Sequence, residues 1–130
     1  RVEACALWGL FRHPVAPRWH GPGAVLLGDA AHPTLPFLAQ GACMALEDAW
    51  VLAESLDRED SDAAAFAAYQ AARRDRVVRI VDAATANARN YHLRGPARMV
   101  AHAGLRAIGR AAPGAMLARF DWLYGHDVTA

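Results

Sequence analysis

The chain has 130 residues, 55% hydrophobic and 21% charged, which lies in the ordinary globular range and allows one domain, or a piece of one, with a modest core. A net charge of +1 is too close to balance for a protein built to hold a polyanion. No stretch approaches the roughly twenty apolar residues needed to span a bilayer, and no charged-then-apolar leader opens the chain.

Residues 3 to 10, Glu-Ala-Cys-Ala-Leu-Trp-Gly-Leu, have strand-like composition, and Pro14 and Pro17 end that strand because proline removes ladder donors. Trp19-His20-Gly21-Pro22-Gly23 reads as a turn. Ala24-Val25-Leu26-Leu27 is then a short apolar run of the kind buried on both faces of a parallel sheet. It stops at Gly28-Asp29, and a loop punctuated by Pro33 and Pro36 follows. From Gly41 the pattern turns helical, with Ala42, Ala45, Leu46, Ala49, Trp50, Ala53 and Leu56 on one face and Glu47, Asp48, Glu54 and Ser55 on the other. The acidic stretch Asp57 to Asp62 ends that helix, and Ser61 or Asp62 caps the next. Phe66, Tyr69, Val77, Ile80, Val81, Ala84, Ala88 and Tyr91 continue a long helical stripe. A third helix is expected between Pro96 and Arg110, with Pro113-Gly114 stopping it. Phe120-Asp121-Trp122-Leu123-Tyr124-Gly125 is too aromatic for a free tail and is expected to pack back on the body.

Charge is split along the chain. Residues 1 to 62 hold four Arg against nine acids and residues 63 to 130 hold ten Arg against four acids, so the halves are expected to lie against each other. Cys5 and Cys43 have no CxxC or metal-ligand spacing, which predicts two free, mostly buried thiols in a reducing, cytoplasmic compartment. The first residue is Arg1 rather than Met, and a fragment of a longer protein is expected.

The chemistry concentrates in residues 24 to 54: a buried strand ending in a carboxylate, a proline-stiffened loop, and a helix opened by glycine. Ligands of open α/β sheets bind outside the carboxyl ends of the strands, where Asp29 could meet a hydroxyl. Helix N-termini present unpaired N–H groups and about half a positive charge, so the amides of Gly41 and Ala42 suit an anionic or carbonyl oxygen. Gly41 also leaves room for a flat ring. The bland reading is that Gly28-Asp29 is only a turn and Gln40-Gly41 only a cap.

Taken together, Trp19 two residues before Gly21, the strand, Gly28-Asp29-Ala30-Ala31-His32-Pro33, Pro36, Gln40-Gly41-Ala42 and Glu47-Asp48-Ala49 resemble the second FAD motif of class A flavoprotein monooxygenases, with the salicylate-hydroxylase-like members most similar. Tyr69, Arg73, Arg76, Tyr91-His92-Leu93, Gly95-Pro96 and the terminal Trp122-Leu123-Tyr124-Gly125 with Asp127 resemble that subgroup's C-terminal helices and ending. The resemblance implies an α/β fold: the C-terminal fragment of a Rossmann-like FAD-binding fold, one or two strands followed by three helices. It implies that residues 1–23 are the end of a substrate-domain strand with its return loop, 24–62 the strand, flavin loop and first helix of the FAD-binding domain, and 63–130 the C-terminal helical part.

By the same resemblance Asp29 binds the ribityl chain of FAD, the Pro36 loop lies beside the isoalloxazine ring, and the amides at Gly41 and Ala42 face its N1 and C2 carbonyl edge, with Gly28 and Gln40 completing the cofactor-binding set. The implied reaction is FAD-dependent, NAD(P)H-using hydroxylation of a small aromatic substrate. The GxGxxG turn that grips the pyrophosphate and the middle Asp-Gly motif do not occur in this sequence, so a missing N-terminal FAD- and substrate-domain segment is the implied partner. No catalytic base is assignable among the six histidines; His32 is nearest to the motif, and its position suggests loop structure.

Arg73 falls on the apolar stripe between Tyr69 and Val77. Either it pairs with Glu47 or Asp48, stapling the second helix to the first, or it snorkels to solvent. Arg73, Arg74, Arg76 and Arg79 do not make a nucleic-acid face, because Asp75 and Asp82 interrupt them and the aromatics sit on the core stripe. The only serines, Ser55 and Ser61, are in no nucleophile-elbow pattern. No histidine pair has metal spacing. Two readings stand: a piece of a flavin hydroxylase, or a non-catalytic helical interaction module derived from that fold and lacking flavin.

Overall fold

The computed structural model describes residues 3–130. Residues 3–19 run without regular secondary structure into a hairpin of two short antiparallel strands, β1 (His20–Gly21) and β2 (Ala24–Val25), in which His20 pairs with Val25 and Gly21 with Ala24. Pro22 followed by Gly23 at φ +69° meets the demand of a type II turn for a fixed φ and then a positive one. Single 3₁₀ turns at Gly28–Ala30 and Pro36–Leu38 lead to α1 (Gly41–Arg58), α2 (Asp62–Tyr91), α3 (Gly95–Ala111), α4 (Pro113–Ala118) and α5 (Asp121–Tyr124). The helix starts follow their local chemistry. Ser61 Oγ accepts from Ala64 N at 3.3 Å to cap α2, and proline stands in the first turn of α3 and of α4, where its missing N–H costs nothing. Pro113 therefore opens a further helix as well as ending α3.

The core joins Trp19, Ala31, Leu38 and Met44 to Tyr69, Val77, Ile80, Val81 and Ala84 of α2, with Leu123 of α5 closing one end. The C-terminal aromatic segment packs back as its composition predicts. Arg76 donates to the carbonyls of Trp122 and Leu123 at 3.0 and 3.1 Å, and the Arg79 guanidinium lies 3.9 Å from the Trp122 ring centroid.

Four expectations are corrected. The strand at residues 3 to 10 does not form: Leu7, Trp8 and Leu10 are exposed, because a strand needs a neighbour for its ladder and none pairs with it among the described residues; residues 1 and 2 of the expected segment 1–23 lie outside them. The run Ala24-Val25-Leu26-Leu27 is an exposed hairpin arm rather than a parallel strand covered on both faces, because its neighbour among the described residues is the two-residue antiparallel β1. On α1 the faces are inverted. Leu46 and Trp50 point to solvent while Met44 and Asp48 are fully buried, since α2 offers arginines that hold the acidic face inward. Cys5 and Cys43 are free, as expected, but exposed, Cys5 in the irregular segment and Cys43 on the outward side of α1.

Candidate functional site

The turn after β2 is set by Gly28, whose φ of +59° only glycine adopts without strain. Its carbonyl accepts from the amides of Ala31 and His32 at 2.9 and 3.0 Å, which closes the turn and leaves Asp29 exposed on its outer side. A Cβ on Gly28 would stand 3.2 Å from the Ala45 Cβ of α1. Gly28→Ala therefore meets both a backbone penalty and overpacking, and we expect it to lower stability by about 2 kcal/mol; an unchanged urea midpoint would refute the close packing of turn on helix.

The chain returns through the Pro36–Leu38 turn, left by Ala39 in the left-handed region at φ +52°, and enters α1 beside the same turn. A Cβ on Gly41 would lie 3.9 Å from Asp29 Oδ1 and 3.6 Å from Thr34 Cγ2. The carboxylate of Asp29 is thus a neighbour of the first residue of α1. Gln40 precedes the helix without a side-chain cap, no acid occupies the first turn, and the first intrahelical bond is Met44 N to Gln40 O at 2.8 Å. The amides of Gly41, Ala42 and Cys43 have no acceptor among the described residues, and they carry the positive end of the helix dipole.

Beneath this surface lies a buried ionic network. Asp48, fully buried, receives Arg73 Nε on Oδ1 at 2.8 Å and, on Oδ2, the Gly28 amide at 3.1 Å and His32 Nε2 at 2.5 Å. Glu47 takes Arg73 Nη1 at 2.6 Å and a two-pronged contact from Arg76, both prongs at 2.8 Å. Burial pushes both carboxyls up, but hydrogen bonds from His32 and Arg73 to Asp48, and from Arg76 and Arg73 to Glu47, outweigh it and hold both below their ordinary values. The neighbouring Tyr69 phenol is pushed up by burial and by the Asp48 charge. Its hydroxyl donates to the Leu26 carbonyl at 3.3 Å. The ring of His32 is fully buried against Trp19, centroids 5.3 Å apart, with Nδ1 unpartnered.

Of the six residues picked from the sequence, Asp29, Pro36 and Ala42 are exposed, Gly41 is half-buried, and Gly28 and Gln40 are buried. Asp29, Gly41 and the loop before it are brought together; Gly28 is buried in the turn before Asp29 and Gln40 is buried just before α1. Arg73 pairs with both acids rather than with one. Sequence reasoning did not find Arg76 as the second partner of Glu47, although it follows Arg73 by three residues and so shares its helix face. Nor did it find the bond from Asp48 to the Gly28 amide, for which no side-chain pattern exists. Crevices of about 230 Å³ at the hairpin and about 280 Å³ between α2 and the C-terminal turn contain none of the six residues. The candidate site in this chain is a set of donors and an acceptor around Asp29 and Gly41.

Comparison with known proteins decides what this surface belongs to. Residues 3–84 match the FAD binding domain family. The chain belongs to that family. It is 41% identical over 118 residues to 3-hydroxybenzoate 6-hydroxylase of Polaromonas naphthalenivorans (strain CJ2), covering 90% of this chain and 28% of that protein. It is 36% identical over 128 residues to 3-amino-4-hydroxybenzoate 2-monooxygenase PtnB3 of Streptomyces platensis, 97% of this chain and 31% of that protein. It is 48% identical over 80 residues to kynurenine 3-monooxygenase of Xanthomonas axonopodis pv. citri (strain 306), 61% of this chain and 18% of that protein. The chain thus spans less than a third of these relatives' lengths and aligns with a segment of each. Its cofactor class is FAD. No helix among the described residues is long and apolar enough to cross a membrane.

Proposed function

We propose that this chain is the part of an FAD-dependent aromatic hydroxylase that holds the ribityl chain and ring of the flavin, with NAD(P)H as reductant and a small hydroxylated aromatic acid as substrate, the class named in two of the relatives. The observation that carries the reading is the neighbourhood of Asp29 and Gly41, where a Cβ on the glycine would stand 3.9 Å from the carboxylate. An acceptor for hydroxyls and a row of free amides share one open surface, and the absent side chain at Gly41 keeps it accessible. Those groups fit the polar length of a flavin: Asp29 accepts from a ribityl hydroxyl, the amides of Gly41 and Ala42 meet the electron-rich pyrimidine edge of the ring, and Pro36 stiffens the loop beside it. Gly28 and Gln40 shape the backbone for these contacts. FAD, when bound, supplies the electron transfer and oxygen chemistry. The chain contributes fixed dipoles that favour negative charge at that edge without reorganising. The pyrophosphate and the substrate are left to the N-terminal part of the full-length protein.

The test uses the full-length protein. Wild type is expected to carry flavin absorbance and to oxidise NAD(P)H faster when a hydroxybenzoate is added. Asp29→Ala is expected to raise the FAD dissociation constant about 10- to 100-fold, the worth of a hydrogen bond to a charged acceptor. A colourless wild type would sink the flavin reading, and unaltered affinity in Asp29→Ala would remove that residue from it.

A further inference from the structure

The buried acid of α1 is joined to the exposed one by a single backbone bond. Asp48 Oδ2 holds the Gly28 amide, immediately before Asp29, at 3.1 Å, and it faces His32 Nε2 at 2.5 Å. Both flanks of the turn carrying Asp29 therefore end on one carboxylate oxygen. Asp48 also lies seven residues beyond Gly41 on the same helix, two turns below the free amides. The other oxygen is held by Arg73 of α2 at 2.8 Å, with Asp48 fully buried and Arg73 2% exposed.

From this arrangement, and resting on the flavin reading above, we infer that Asp48 is a positioning residue for the cofactor. It fixes the separation between the Asp29 carboxylate and the amides of Gly41 and Ala42, and Arg73 holds it in register. A buried charge is a poor device for stability alone, because apolar packing of the same volume serves as well or better. What the carboxylate adds is direction: an ionised acid accepts on both oxygens, so it can take a guanidinium on one side and an amide N–H on the other. Asparagine cannot. With its oxygen toward Arg73 its NH₂ group opposes the Gly28 N–H, and flipped it opposes Arg73, so Asp48→Asn cuts one of the two links while nearly preserving volume.

The experiment compares Asp48→Asn with Ile80→Val in the full-length protein, stripped of flavin and titrated with FAD well below both unfolding midpoints. Ile80 is a fully buried side chain of α2 outside the network, so its variant controls for lost stability. Asp48→Asn is expected to weaken FAD binding about tenfold, the lower end of what loss of an outer partner costs at other ligand sites, and to change the visible circular dichroism of the bound flavin. Ile80→Val is expected to lower the midpoint and leave both readouts as in wild type. Arg73→Lys keeps the charge but loses the directed Nε bond, and its affinity should fall between wild type and Asp48→Asn; it answers the question should the asparagine variant not fold. Wild-type affinity and dichroism in the variant that folds would overturn the inference while leaving the flavin reading intact, whereas a wild type that binds no FAD would overturn both.

Discussion

Arg73→Met lowers the folding free energy by about 3–5 kcal/mol at neutral pH, the usual effect of removing one member of a buried ion pair. The loss falls on two acids at once, since Arg73 reaches Asp48 at 2.8 Å and Glu47 at 2.6 Å. Two features pull toward the lower figure. Arg76 still holds Glu47 with two bonds, and Arg73 Nη2 is itself buried without a partner, so methionine also removes an unsatisfied donor. The pH dependence has a defined sign. Both carboxyls are depressed below their ordinary values of 4.5 and 3.8, so the stability they contribute is present above those values and is lost as pH falls through the lower folded ones. The difference between wild type and Arg73→Met, read from urea denaturation, should therefore be largest near neutrality and shrink below about pH 4. A difference under 1 kcal/mol at pH 7, or one that grows on acidification, would mean that Arg73 does not hold the acids.

The sequence made the helices legible because their ends carry chemistry of their own. Ser61 caps α2, and the acidic run beyond Leu56 breaks the pattern. The return of the tail was legible from its aromatics. The orientation of α1 was not, because counting apolar positions assigns the inward face by hydrophobicity alone. There the inward face is decided by Arg73 and Arg76, which make Glu47 and Asp48 cheaper to bury than to leave unpaired beside two cations. Arg73 was the available hint: a cation on the stripe of α2 required an acid opposite, and that acid had to lie on the inward face of α1.

The strands failed for another reason. Composition marks segments able to pair, and pairing needs an edge that the described residues do not provide; Leu26 and Leu27 keep 39% and 36% of their surface exposed, the state of a strand short of neighbours. At the candidate site the outer elements, Asp29 and the start of α1, were readable from motif and spacing. The bond from Asp48 to the Gly28 amide was not, since a backbone donor has no sequence signature and the partners lie twenty residues apart.

Trp19→Ala should cost about 3–5 kcal/mol, the range for truncating a fully buried aromatic, because this side chain packs between His32 of the loop and Tyr69 of α2. Its ring is fully buried, with centroids 5.3 Å from His32 and 5.5 Å from Tyr69. Its indole N–H donates to the Ala16 carbonyl at 2.9 Å, its amide to Gln70 Oε1 at 2.7 Å, and its carbonyl accepts from Leu26 at 2.6 Å. Packing dominates this sum. Trp19→Phe retains most of the ring contact and loses only the indole bond, so it should cost about 1–2 kcal/mol, and the gap between the two variants measures the burial term. Amide exchange locates the effect: in Trp19→Ala the Leu26 amide should exchange faster than amides in the middle of α2, because the hairpin detaches before the helices separate. Equal losses for alanine and phenylalanine would make the indole bond the dominant contribution. A loss under 1 kcal/mol for alanine would mean that the hairpin, and with it the turn bearing Asp29, is held to the helices by the Asp48 network and the Tyr69 and Gln70 bonds rather than by the indole ring.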